Sequence, residues 1–183
     1  MNSTGDEYSD FDGPDLISRK VSELVVMGGG YPSGYEYNFR GGNSSLAVHV
    51  VNNWPGQIVF SGTELGAKVT SGGRLMKKGP MSDPVKAAYV YYTYYTARYS
   101  WDPLTVMYAL NGLGDLFEFG NEYGYNHVSP NGSNKWIFDE KRVDQHWLRL
   151  KISNAAASAK LDKLLLEAAL SVTIDSSDQH VEL

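Results

Sequence analysis

The chain contains no cysteine. That removes disulfide scaffolds, thiolate metal sites and cysteine nucleophiles. It leaves the compartment open, because secreted proteins need not carry disulfides. Positive charge is also scarce: 16 Lys and Arg face 21 Asp and Glu, a net charge of -5. No general attraction to nucleic acid or to anionic membranes is expected. No apolar run approaches the roughly 20 residues that span a bilayer. The opening stretch, Met1 to Asp15, is polar and acidic and reads as neither signal nor transit peptide. The chain therefore reads as soluble, with a flexible lead-in over residues 1–15. It shows no internal repeat and no low-complexity tract.

What remains is ordinary in bulk. A length of 183 residues, 42% hydrophobic and 20% charged, suits one globular domain with a real core. Aromatics stand out, with 13 Tyr, 4 Trp and 6 Phe. They fit either a Tyr-rich core or a pocket that stacks on a planar or sugar-like ligand. The domain is expected over residues 16–171, with a frayed tail over 172–183.

The local patterns read as α/β. Leu24-Val25-Val26-Met27, closed by three glycines, predicts a buried strand. Asn43 or Ser44 can cap a helix carrying Leu46, Ala47, Val50, Val51 and Trp54 on one face, and Pro55-Gly56 stops it. Ile58-Val59-Phe60 predicts a second strand. Strand, helix, strand with short joints predicts a parallel pair. Glu64 to Val69 fits a short helix. Asp83-Pro84 is a helix start despite the strand-prone tyrosines that follow, with Ala87, Val90, Tyr91, Tyr94 and Tyr95 expected on one face. Asp102-Pro103 repeats the start signal, with Asp102 as the expected cap, and Asn111-Gly112 ends that helix. From Asp115 to Lys151 short aromatic strands follow, with a hairpin at Asn131-Gly132. A last helix begins near Asn154. The predicted fold is an open, mostly parallel sheet flanked by helices, with a C-terminal β-hairpin region.

Several chemistries fail on spacing. Gly28, Gly30 and Gly34 follow a strand, but the last gap is one residue too long for a dinucleotide fingerprint, and no helix opens directly. An EF-hand aligned on Gly13 would need ligands at Tyr8 and Arg19, which cannot serve. The four histidines, His49, His127, His146 and His180, form no metal-binding pair on one helix face. Two candidates stand. In an extended segment Glu36 and Asn38 would point to one side beside the glycine turn, a pairing suited to vicinal sugar hydroxyls. The alternative is a polar loop that satisfies itself. Asp102 is either a helix cap or a metal-binding carboxylate, with Trp101 beside it to stack on an aromatic ligand.

Taken together, Lys20 to Gly30, Glu36-Tyr37-Asn38-Phe39 and Trp101-Asp102-Pro103-Leu104 resemble, in order and spacing, three motifs of the inosine–uridine-preferring nucleoside hydrolases. The resemblance runs from about Leu16 to Ala169. It implies calcium-dependent hydrolysis of the N-glycosidic bond of ribonucleosides, on an α/β fold that usually forms homo-oligomers. It implies Asp102 as a calcium ligand, and Glu36 and Asn38 on the ribose hydroxyls. Trp101 stands where base-nonspecific members have an acid histidine. The Trp form resembles the purine-preferring branch, so a purine base is implied.

One motif of that family is missing. Its aspartate cluster, D-x-D-x-x-x-D-D, supplies most calcium ligands and the general base. Asp6, Asp10, Asp12 and Asp15 have other spacings, and no apolar strand precedes them. Tyr35 also stands where the family often has Asn. The chain thus corresponds to the later half of the family's domain. Alone it is expected to be nearly inactive, and Leu24–Met27 and Ile58–Phe60 are expected to lack cover. The alternatives are a non-catalytic nucleoside- or sugar-binding remnant, a subunit that pairs with a complete homologue, and a structural Tyr-rich protein. Sequons at Asn2, Asn43 and Asn131 are compatible with a secreted relative.

Overall fold

The computed structural model describes residues 1–178. Seventeen elements follow one another. The first five are α1 (Gly13–Lys20), β1 (Glu23–Met27), β2 (Ser33–Gly34), α2 (Tyr37–Arg40) and α3 (Ser44–Asn53). Then come β3 (Gln57–Ser61), α4 (Thr63–Gly66), β4 (Thr70–Ser71), α5 (Gly73–Lys78) and α6 (Pro84–Thr93). The rest are β5 (Arg98–Tyr99), α7 (Trp101–Asn111), β6 (Phe117–Phe119), β7 (Tyr125–Val128), β8 (Asn134–Ile137), β9 (Gln145–Leu150) and α8 (Asn154–Asp178).

The main sheet runs β1-β3-β9-β6. β1, β3 and β9 are mutually parallel, and β6 closes the far edge antiparallel. The expected parallel pair joined by a helix is therefore present, with Leu24 opposite Ile58 and Val26 opposite Phe60. Strand alternation divides the core in two. Val59 and Leu148 face Leu104, Tyr108, Ala157 and Leu161 of α7 and α8. Ile58 and Phe60 face the other way, toward Tyr31, Phe39, Val51 and Val128. The hairpin β7–β8 lies on that second side, and its Trp136 packs against Phe60 with ring centroids 6.5 Å apart.

Capping chemistry sets the helix starts. Asn43 accepts the Ser45 amide at 3.1 Å, and Asp83 accepts that of Lys86 at 2.6 Å, with Pro84 at the first helical position. Within residues 1–15, expected as a flexible lead-in, Asp12 caps α1 and the Gly13 amide donates to the Ser3 carbonyl. α8 runs to Asp178, and residues 179–183, the end of the expected frayed tail, lie outside the described ones. Two expectations need correction. Tyr91, Tyr94 and Tyr95 do not share the inner face of α6; they are exposed, and Lys86 is buried instead. Its ammonium donates to the Gly79 carbonyl at the end of α5. Ile58–Phe60 are fully covered, and of these two strands only β1 stands at an edge of the main sheet.

No helix among the described residues is long and apolar enough to cross a membrane.

Phe60 is wholly buried against Tyr31, Phe39 and Trp136, so Phe60→Ala is expected to cost about 3–5 kcal/mol in urea unfolding. A loss below about 1 kcal/mol would contradict this packing. His146 stacks on Phe119 at 4.0 Å, and burial pushes its pKa below the usual value. The unfolded chain then binds a proton more readily than the native one. Stability should fall as pH drops below about 6.5, the unfolded value, and His146→Asn should flatten that slope in denaturant midpoints.

Candidate functional site

β1 ends in a turn with three successive amides to satisfy. The Gly29 amide donates to Glu36 Oε2 at 3.2 Å, that of Gly30 to Asn134 Oδ1 at 3.0 Å, and that of Tyr31 to Glu64 Oε2 at 3.3 Å. Gly29 has φ +76, a left-handed conformation that glycine adopts without strain. Gly34 is needed for a different reason: a Cβ there would lie 2.7 Å from Gly30 Cα, backbone against backbone. Such a run of amides is an anion-binding nest. Here the protein's own side chains fill it, which is the structural reason that the glycine cluster is no phosphate cradle. Burial raises the Glu64 carboxyl above its ordinary value, against the lowering effect of the backbone amides of Glu64 and Tyr31.

Glu36 is not in an extended segment. It is the N-cap of α2, and its Oε2 also accepts the Asn38 amide at 2.8 Å. One oxygen thus holds two amides, and Oε1 has no partner among the described residues. Asn38 donates through Nδ2 to the Met27 carbonyl and to Met27 Sδ, at 3.1 and 2.9 Å. Its Oδ1 has no partner among the described residues. Each side chain thus holds the turn through one polar atom and keeps another free at the cleft.

Trp101 and Asp102 arrive from the other side. Trp101 opens α7, and its indole N–H donates to the Thr63 carbonyl at 2.7 Å, which fixes the ring. Tyr99 sits 5.4 Å from it, centroid to centroid. Asp102 does not cap α7; Ser100 holds that position. The Asp102 carboxylate is exposed and makes no hydrogen bond or ion pair among the described residues. All four sequence-predicted residues, Glu36, Asn38, Trp101 and Asp102, line one cleft of about 470 Å³. It opens beyond the carboxyl end of β1, where ligands sit in open α/β sheets. Met27, Tyr35, Tyr37, Thr63 and Arg98 complete its wall.

The resemblance implies calcium, and the residues present do not fit it. Such a site takes about 6–8 oxygen ligands. Among the described residues no three His, Cys, Asp or Glu gather to hold a metal. Asp102 and the spare Oε1 of Glu36 offer fewer carboxylate oxygens than such a site takes.

Three contributors escaped sequence reading. Asn134 is buried and clamps Gly30 from both sides, donating to its carbonyl at 2.9 Å as well as accepting its amide. Its only local sign is its place just after a hairpin turn. Thr63 acts through its carbonyl, which no sequence pattern reveals. Arg98 lies three residues before Trp101, just past the tyrosine run that follows Asp83-Pro84, and no motif marks it.

No protein-family model matches the sequence, and no curated protein matches it significantly. In structure the chain is similar to a plant nucleoside hydrolase, PpNRh1, with a TM-score of 0.57 and 16% sequence identity. The match covers 83% of this chain and 56% of the other, so the chain spans little more than half the length of that neighbour. The fold is nucleoside-hydrolase-like.

Replacing Asn134 by Ala leaves the amide and the carbonyl of Gly30 unpaired in a buried site. The expected loss is about 1–3 kcal/mol for each group left unpaired. Chemical denaturation of Asn134→Ala checks it, and a variant as stable as the parent would contradict the clamp.

Proposed function

We propose that the cleft binds a ribonucleoside, and that this chain by itself binds without completing hydrolysis. The observation that carries the reading is convergence. Glu36 with Asn38 and Trp101 with Asp102 belong to two motif segments that lie far apart in sequence and line one cleft at the carboxyl end of β1. The likeness in fold to a plant nucleoside hydrolase supports the same substrate class.

The roles follow from the free atoms. Glu36 Oε1 and Asn38 Oδ1 are acceptors for ribose hydroxyls. The Trp101 ring offers a face for the base, and a purine covers more of an indole than a pyrimidine does. Asp102 supplies one carboxylate at the mouth. Hydrolysis through calcium would need further carboxylates beside Asp102. The open edge of β1 is where another polypeptide would extend the sheet and bring them, which favours pairing with a homologue over solitary action.

Calorimetric titration of the purified chain with inosine, adenosine and uridine tests this. Inosine and adenosine should bind, and uridine more weakly. Trp101→Ala should weaken inosine binding by roughly 5- to 100-fold, the worth of one stacked base. Added calcium should leave the affinity unchanged, and no free base should accumulate. Absence of binding in a folded sample would sink the reading. Inosine hydrolysis that Asp102→Asn abolishes would overturn the statement that the chain does not complete the reaction alone.

A further inference from the structure

The nucleoside reading uses only one side of Arg98. That residue lines three adjoining clefts. On one side lies the cleft that holds Glu36 and Asp102. Next to it is a cleft of about 340 Å³ that Asp102 also lines, together with Tyr89 and Pro103. Beyond lies a third, of about 440 Å³, walled by Thr70, Tyr92, Thr93, Thr96 and Tyr99. None of the residues lining this third cleft is acidic.

Arg98 has no carboxylate within ion-pair distance among the described residues. Its guanidinium sits instead over three rings: 5.4 Å from the Tyr92 centroid, 6.0 Å from Tyr99 and 5.6 Å from Trp101. Ring faces hold the cation in place and leave its fork of donors unspent. In the third cleft, Thr93 and Thr96 spend their hydroxyl protons on the Tyr89 and Thr93 carbonyls. The hydroxyls of Thr70, Tyr92 and Tyr99 have no partner among the described residues. An oriented guanidinium beside free hydroxyls, in a cleft whose lining holds no carboxylate, is chemistry for a phosphate.

We propose that the connected clefts take a phosphorylated nucleoside, with the phosphate on the face of Arg98 turned from Asp102. The proposal rests on the nucleoside reading and names the ligand class more closely. Charge separation argues for the placement. Glu36 and Asp102 would repel a dianion within their own cleft, and Arg98 stands between them and the carboxylate-free one.

The test compares inosine with inosine 5′-monophosphate by calorimetry, in phosphate-free buffer of low ionic strength, on the parent and on Arg98→Gln. Circular dichroism checks that the variant folds. The monophosphate should bind the parent roughly tenfold or more tighter than inosine, the worth of one charge-assisted hydrogen bond. In Arg98→Gln that ratio should collapse toward one, and in the parent it should shrink as salt is added. A ratio near one in the parent, or one that survives in Arg98→Gln, overturns the phosphate site while inosine binding stands. Failure of both ligands to bind a folded sample removes the nucleoside reading and the proposal together.

Discussion

The amides of Gly29, Gly30 and Tyr31 leave the end of β1 in succession, and each needs an acceptor once the turn is covered. Three distant side chains meet that need: Glu36 from the start of α2, Asn134 from β8 and Glu64 from the first turn of α4. This constraint ties the second core cluster to the sheet. Asn134 brings the β7–β8 hairpin against the turn, and Asn126 of the same hairpin donates to the Tyr31 hydroxyl at 3.2 Å. Tyr31 then stacks on Trp147 of β9 at 5.9 Å, so the turn, the hairpin and the central sheet form one packed unit.

The same constraint builds the cleft. Glu36 reaches the Gly29 amide only if α2 starts where it does. That start places Asn38 over Met27 and leaves the unpaired oxygens of both residues at the cleft. On the opposite wall the indole N–H of Trp101 needs an acceptor and finds the carbonyl of Thr63, one residue before Glu64. Both walls are thus referred to the ends of β1 and β3. Those ends stay rigid because Ile58, Val59 and Phe60 are closed off from solvent on both faces.

Much of this was legible in the sequence, for identifiable reasons. The parallel β1–β3 pair, α3 with a cap at Asn43 or Ser44 (the structure uses Asn43), and α6 behind Asp83-Pro84 are legible because each depends on neighbours in the chain. α6 shows the limit. Its start signal outweighed the β-prone tyrosines, but the inner face was misassigned. The tyrosines carry hydroxyls that remain solvated at no cost, whereas the Lys86 ammonium finds the Gly79 carbonyl in a fold-specific contact. The cleft shows the limit again. Motif spacing picked its four residues but misjudged their local geometry, since Glu36 caps α2 and Ser100, not Asp102, heads α7. Asn134 was invisible because its role lies 104 residues away from its partner Gly30.

These contacts separate residues that hold the fold from residues that only face the cleft. Glu36 does both: its Oε2 secures two amides while Oε1 is spare, so any change there moves the turn and the ligand together. Asn38 is similarly mixed. Asp102 is different. It is exposed, takes no hydrogen bond among the described residues and does not cap α7, so the folded chain gains little from its carboxylate. An acidic group in the first turn of α7 is mildly favoured by the helix dipole, but Asn would serve the fold nearly as well. On the proposed reading the Asp102 carboxylate serves what enters the cleft, so Asp102→Asn would report on binding with little contribution from folding, whereas changes at Glu36 must be corrected for the stability of the turn.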